Sequence, residues 1–327
     1  MNNGHEQGNL WSIVLAGGDG VRTKQFIQRW LGHEKPKQYC VFVGSRSMFQ
    51  HTLDRAADSR PGIEWSWWQP DIIRPKFGIN SMGAPPAWCC CNRKTWTQQP
   101  AFFSPLTYIL ARDPQATVVI YPSDHFVFPE DSFLSAVGHA VRESNGLGGR
   151  PVLLAARPEG LELEYGWIKP GRCLDWSGEM RTHTVEMFFE KPDQATAHEV
   201  RTTGGLWNTM VFAAKGRNLW SLGQKCLPEI MTCFERLKVA IDTAKELKVL
   251  DAIYEVMPRR NFSSHLLQCA SERLAVMEMR DVLWSDWCHP KRITDILGKL
   301  GKQERKVDYE FLNDCRIVRV GSVCQRM

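Results

Sequence analysis

Leu15-Ala16-Gly17-Gly18-Asp19-Gly20-Val21-Arg22 continues a short apolar run, Ser12 to Ala16, and is followed at a short distance by Lys35-Pro36-Lys37-Gln38. The run reads as a buried strand, and the glycines after it let the backbone come close to a ligand. Backbone N–H groups in such a turn form a concavity for anions, to which Arg22 and Lys37 add positive charge. This pattern points to phosphate handling at the end of a strand. A P-loop needs G-x-x-x-x-G-K-[ST] and a dinucleotide fingerprint needs G-x-G-x-x-G, and the segment supplies neither. On the turn alone, a hairpin or surface turn remains open, because glycine pairs commonly serve turns.

The 327 residues suit one large α/β domain or a domain with a small appendage. A hydrophobic content of 43% and a charged content of 24% are ordinary for a globule with a substantial core. The net charge of +5 is small, and apart from Arg259-Arg260 and Lys299 to Lys306 the basic residues are scattered. That favours a small anionic substrate over nucleic acid, which calls for a basic stripe. No stretch approaches the roughly 20 apolar residues of a membrane span. Met1 to Asn9 lacks the apolar centre of a signal peptide. The eleven cysteines show no paired C-x-x-C spacing, which argues against structural zinc and against a disulfide framework. A cytoplasmic location is the expectation that follows.

Along the chain, apolar periodicity predicts helices over Met48 to Ala57, Pro129 to Glu143, Asp193 to Thr202, Arg217 to Lys225, Pro228 to Ala240, Ala244 to Tyr254, Phe262 to Gln268 and Pro290 to Leu300. Leu106 to Arg112 reads as the end of another. Strands are predicted at Ala116 to Tyr121, Pro151 to Ala156, Val185 to Glu190, Leu206 to Ala214 and Leu274 to Met279. The alternation implies a mostly parallel mixed sheet with helices on both faces, with ligands outside the carboxyl ends of its strands. Residues 1–10 read as a flexible N-terminus, 11–300 as the folded domain, and 301–327 as a charged tail with no assignable role.

L-A-G-G-x-G-x-R with a downstream P-K-Q resembles the signature of the sugar-nucleotide pyrophosphorylases, and P-K-Q-Y resembles their mannose-1-phosphate guanylyltransferase branch. Further matches follow in order: Tyr121-Pro122-Ser123-Asp124-His125, Glu164-Tyr165-Gly166-Trp167-Ile168, Phe189-Glu190-Lys191-Pro192, Leu206-Trp207-Asn208 and Trp284-Ser285-Asp286. The resemblance implies a Rossmann-like nucleotidyltransferase fold, with GTP and mannose 1-phosphate as partners and Mg²⁺ as cofactor. It is compatible with a homodimer. Bifunctional relatives carry a cupin-like barrel after this domain, and the short tail leads to the expectation of a monofunctional enzyme.

Residues 61–103 break the pattern. The window holds Trp65, Trp67, Trp68, Trp88 and Trp96, five of the thirteen tryptophans, with Cys89-Cys90-Cys91 and six prolines. It shows neither helical nor strand periodicity, although the alternation calls for a strand and a helix here. Taken literally, it is a loop of improbable length. A shifted reading frame supplies an explanation. Taking the third base of each codon with the first two of the next, Trp67-Trp68 must give Val, Trp68-Gln69 must give Ala, and Trp96-Thr97 must give Asp. With codon choice elsewhere, Glu64 to Ile73 becomes V-V-V-V-A-T-R-H-H. Trp88 to Pro105 becomes V-L-L-Q-P-K-N-V-D-T-A-A-G-I-F-L-P, which resembles the family's base-binding loop Q-P-x-N-x-x-T-A. Two compensating frameshifts, near Arg60 and near Phe103, account for both; a genuine Trp-rich insertion is the alternative.

Joining a sugar phosphate to a nucleoside triphosphate brings two anions together, so cations are required. By the resemblance, Leu15, Ala16, Gly17, Gly18 and Gly20 with Arg22 and Lys37 bind the nucleotide, and Arg22, Lys37 and Asp124 are the catalytic group. Asp124 and Asp286 are the expected metal carboxylates, since Mg²⁺ takes one or two carboxylates plus phosphate oxygens. Cys288 stands where relatives usually carry glycine. Gly166, Glu190, Lys191 and Asn208 are expected at the sugar phosphate. Each residue also has an ordinary reading: a cap or turn for Asp124, Asp286, Gly166 and Asn208, and a surface pair for Glu190-Lys191. The attacking phosphate oxygen is already ionised, so no general base is assigned, and His125 is given no role. A pyrophosphorylase for another base or sugar, and an inactive or regulatory relative lacking the base-binding segment, are the alternatives.

Overall fold

The computed structural model describes residues 9–16, 20–58, 88–91, 98–175, 180–258, 260–303, 307–309 and 318–320. The main strands are β1 (Leu10–Ala16), β2 (Trp88–Cys91), β3 (Thr117–Pro122), β5 (Val152–Ala156), β6 (Gly166–Asp175), β7 (Thr182–Glu190), β8 (Leu206–Lys215) and β9 (Ala275–Glu278). They form one sheet in the order β2-β1-β3-β8-β5-β9-β7-β6. Two short strands, β4 (Phe126–Phe128) and β10 (Leu283–Ser285), pair separately and antiparallel. In the tail, β11 (Val307–Tyr309) pairs antiparallel with β12 (Val318–Val320).

The strands that alternate side chains between two apolar faces are those expected of a sheet buried on both sides. Trp11 and Ile13 of β1, Val118 and Ile120 of β3, and Leu153 and Ala155 of β5 enter one core. That core is closed by α3 (Gln98–Arg112), α6 (Gly216–Cys226), α7 (Pro228–Ala240) and α8 (Glu246–Val256). Val14, Val119, Tyr121, Val152 and Leu154 enter the other, under α2 (Met48–Asp58) and α4 (Glu130–Gly146), with α5 (Gln194–Thr202) contributing Ala197 and Val200. A third cluster joins α1 (Val21–Leu31) to α9 (Pro290–Gln303) through Ile27, Ile293 and Ile296. In it the Trp287 ring stacks on Phe126 at 5.0 Å and meets Phe42 edge-on at 4.9 Å.

The sheet is mixed as expected, but its parallel part is confined to β2-β1-β3 and the β5-β9 pair. β8 runs antiparallel to both β3 and β5, β7 runs antiparallel to β9, and the consecutive strands β6 and β7 pair antiparallel. One register detail builds the site. On one edge, β3 pairs with β8 from Phe212 to Lys215, while Leu206 and Trp207 lie beyond its end. β6 takes those two residues as partners of Ile168 and Trp167. The start of β6 therefore sits just past the end of β3, where Asp124 follows.

Periodicity located α7 at its observed boundaries, and the Asp193 side chain caps α5 by accepting from the Thr196 N–H at 2.8 Å. It missed α1, β4, β6 and β10. Much of residues 61–103 lies outside the described residues, but β2 and the first turn of α3 fall within it, so the window is not one continuous loop. Phe102 and Phe103 are fully buried. Both the literal and the shifted reading put apolar side chains there, so their burial does not choose between the two.

Arg55 ties these layers together around the loop after β3. It is 4% exposed, and its guanidinium donates to Glu130 Oε1 at 3.0 Å, Thr52 Oγ1 at 2.8 Å and the His125 carbonyl at 3.2 Å. Glu130 is itself partly exposed, so the main loss on removing Arg55 falls on the Thr52 hydroxyl and the His125 carbonyl, left without this donor. Arg55→Ala is expected to lower unfolding stability by about 1–3 kcal/mol, and Arg55→Met by less, as read from urea denaturation midpoints.

Candidate functional site

The site begins at Lys37. Pro36 is extended, and Lys37–Tyr39 then form one turn of 3₁₀ helix that drives the Lys37 side chain inward. The residue is 2% exposed. Its ammonium lies 2.9 Å from Asp124 Oδ2, donates to the Asp286 carbonyl at 2.6 Å and approaches Cys288 Sγ at 3.6 Å. Burial alone would lower the Lys37 pKa, but Asp124, Cys288 and Asp286 outweigh it and raise the value, so the amine is charged. Burial pushes the Cys288 thiol up to about 12 despite Lys37 beside it, which keeps it protonated at neutral pH.

Gly20 packs against the base of this lysine. It is left-handed, with φ 57°, and caps the start of α1. A Cβ there would lie 3.5 Å from the Lys37 Cβ and 3.6 Å from its backbone nitrogen. Gly20 and the Lys37 backbone are thus adjacent. Leu15 and Ala16 end β1, and the Leu15 carbonyl accepts from the Ser123 N–H at 3.0 Å, tying the turn to the Asp124 loop. Gly17 and Gly18, with Asp19 after them, lie outside the described residues. Arg22 is half-exposed on α1 and paired with Glu164, away from the Lys37 cluster.

Asp124 keeps a quarter of its side chain exposed, with Oδ1 3.8 Å from His125 Nε2. His125 is buried edge-on against Trp284, and burial lowers its pKa, so it is a neutral wall residue. Asp286 is only 9% exposed. Its Oδ1 accepts from the Tyr165 hydroxyl at 3.1 Å, the Cys288 N–H at 3.1 Å and Arg292 Nη1 at 2.8 Å; Oδ2 accepts from Arg292 at 3.1 Å. Burial would raise the Asp286 pKa, but Arg292, His125 and Lys37 more than offset it and hold the carboxyl at about 2.

Tyr165-Gly166 joins this cluster to a second one. The Tyr165 carbonyl accepts from the Lys191 N–H at 3.3 Å. A Cβ at Gly166 would meet Phe188 Cζ at 3.1 Å, the Asn208 Cβ at 3.3 Å and Glu190 Oε2 at 3.3 Å. Gly166, Glu190 and Asn208 are therefore one constellation, brought together by the β6-β7 register and the pairing of β6 with β8. Burial raises the Glu190 pKa, partly offset by Lys191. Asn208 Oδ1 accepts from the Met210 N–H at 3.1 Å. Lys191, Met210 and Trp287, all at or beside the site, are non-glycine residues with positive φ of 49°, 59° and 48°. Such conformations persist where surrounding structure enforces them, and they concentrate at functional sites.

Sequence reasoning did not single out Arg292, Glu162 or the Tyr165 hydroxyl. Arg292 sits in the first turn of α9, six residues after Asp286, with no motif around it. Its guanidinium also bonds Glu162 Oε2 at 2.7 Å and lies 4.2 Å over the Tyr165 ring. Its one signal is electrostatic: a cation at a helix N-terminus opposes the macrodipole, and so implies a compensating anion nearby.

The sequence model of the nucleotidyl transferase family matches residues 100–303. Among curated proteins, the chain is 25% identical over 289 residues to the mannose-1-phosphate guanylyltransferase of Escherichia coli K12, covering 86% of this chain and 58% of that protein. It is 29% identical over 204 residues to the xanthan biosynthesis protein XanB of Xanthomonas campestris pv. campestris strain B100, covering 61% of this chain and 41% of that protein. It thus spans about half the length of these relatives. Among solved structures, mannose-1-phosphate geranyltransferase from Thermus thermophilus superposes with a TM-score of 0.64 at 22% identity, covering 86% of this chain and 76% of that one. A UDP-glucose pyrophosphorylase in complex with UDP-glucose gives 0.51 at 12% identity, covering 90% and 99%. These likenesses carry the fold. No described helix is long and apolar enough to cross a membrane. With the family model spanning more than half of its residues, the chain belongs to the nucleotidyl transferase family.

Proposed function

We propose that the protein transfers GMP from GTP to mannose 1-phosphate, giving GDP-mannose and pyrophosphate. The observation that carries this reading is the buried Lys37 ammonium, held between Asp124 and the Asp286 carbonyl on a residue whose backbone packs against Gly20. It is a fixed cation at the end of β1 and β3, where charge must be met in nucleotidyl transfer. The P-K-Q-Y context and the curated relatives support guanine and mannose.

In the reaction, a phosphate oxygen of the sugar phosphate attacks the α-phosphorus in line. The new P–O bond forms as the α–β bridge breaks, and pyrophosphate leaves with the electron pair. Lys37 is preorganised to meet the growing charge without reorganisation. The fork of Arg22 suits phosphate oxygens once Glu164 is exchanged for them. Gly166 lets Glu190 and Asn208 close against the start of β6, and these two offer hydrogen bonds to sugar hydroxyls. The neutral, buried His125 is consistent with a reaction that needs no base.

The partly exposed Asp124 carboxylate fits Mg²⁺, whose chemistry when bound is to screen and polarise phosphate oxygens. Asp286 does not fit, because Arg292, Tyr165 and the Cys288 N–H already fill its oxygens. The base-recognition loop expected after β2 falls at residues 92–97, outside the described residues. The out-of-frame reading of 61–103 belongs to the same proposal and accounts for that loop's missing motif.

Lys37→Met is expected to lower kcat/KM by about 10²–10³-fold in a pyrophosphate-release assay. Asn208→Ala should instead raise KM for the sugar phosphate, by roughly ten-fold. Assayed against a panel of triphosphates and sugar 1-phosphates, frame-restored protein should turn over GTP with mannose 1-phosphate fastest; a preference for UTP or dTTP overturns the base assignment. The literal polypeptide should be poorly folded or inactive beside it, and robust GDP-mannose synthesis by the literal chain refutes the frame reading.

A further inference from the structure

Asp286 was expected to bind metal, yet it is the most completely bonded carboxylate of the site. Three donors converge on Oδ1 and Arg292 reaches both oxygens. A carboxylate has about four acceptor positions, so little capacity is left for a cation. Arg292 is itself built in. Its side chain is 13% exposed, its second nitrogen is held by Glu162, and its plane covers the Tyr165 ring. The position is unfavourable for an arginine on helix grounds alone, since α9 has no acidic residue in its first turn. Asp286 and Glu162 together supply the reason for it to be there.

We propose that Arg292 replaces metal at Asp286, so that Asp286 anchors Lys37 and, of the two aspartates, Asp124 is the one that binds a divalent cation. Arg292 neutralises the Asp286 side chain, and its Nη1, shared between both carboxylate oxygens, fixes the backbone whose carbonyl holds the Lys37 ammonium. A divalent ion brought to the same carboxylate would face the guanidinium at either oxygen, whereas the Lys37 ammonium pairs with Oδ2 of Asp124 and leaves that side chain a quarter exposed. Arg292 is thus a positioning residue, acting on the reaction through Asp286 and Lys37. The inference rests on the nucleotidyl-transfer reading for its catalytic meaning, but it makes a claim about metal binding that stands apart from base and sugar specificity.

The probe is Mn²⁺, titrated into the frame-restored full chain and followed by electron paramagnetic resonance, with circular dichroism reporting the fold of each variant. One ion is expected per chain. Asp124→Asn should weaken its binding by roughly ten-fold or more, and Asp286→Asn by less than about three-fold. Arg292→Ala should free Asp286 and either tighten Mn²⁺ binding or add a second ion. Arg292→Lys keeps the charge but loses the fork, and should keep the wild-type stoichiometry; it stands in if Arg292→Ala does not fold. Equal weakening by Asp124→Asn and Asp286→Asn overturns the proposal, as does undiminished binding in Asp124→Asn. A different substrate preference would sink the GTP and mannose assignment and leave this titration unmoved.

Discussion

A buried ammonium needs partners, and the structure is organised around giving them to Lys37. The desolvation penalty of a lysine 2% exposed is several kcal/mol, and it is met only with good geometry and nearby negative charge. Asp124 arrives from the end of β3, and the Asp286 carbonyl from the loop after β10. Three sequence-distant segments are thereby fixed to one point. The small β4-β10 pair holds two of them in register, and the Phe126-Trp287 stack beneath closes the apolar side.

The same constraint explains why the second cluster lies where it does. β8 is longer than its neighbour β3, and β6 uses the surplus length. That hand-over brings Tyr165 to Asp286 and Gly166 to Asn208 in two consecutive residues. A shift of β6 by one residue would turn Gly166 away from Asn208 and put a bulky side chain in its place, because side chains alternate across a strand.

Legibility followed how local the signal was. Lys37, Asp124 and Asp286 were readable because each follows a strand or a proline turn within a few residues of a recognisable pattern, and the structure brings them together. Glu190, Asn208 and Gly166 were readable for the same reason. Arg292 was not, because its partners are Asp286, Glu162 and Tyr165, two of them more than a hundred residues away. β6 was hidden by Pro170 and Gly171, which look like strand breakers and coincide here with register shifts against β7. α1 was hidden by its polar face, Arg22, Lys24, Gln25, Gln28 and Arg29, and by a glycine rather than a side-chain cap at its start. The sequence leaves the role of Asp286 open for a related reason. An aspartate after a strand has one appearance in sequence, whether a cation or an arginine completes it.

The exposed pair of Arg22 with Glu164 has a different character from everything around Lys37. Both side chains are half open to solvent, and such pairs contribute roughly 1 kcal/mol or less. The arginine is stored in a fixed place, yet any better anion can take it. Glu164 immediately precedes Tyr165, so giving up its partner releases negative charge next to the strand that carries the second cluster. Trading one anion for another at this point is weakened by salt, within a Debye length of about 8 Å at physiological ionic strength. The buried cation is indifferent to the medium, while the surface one answers to it.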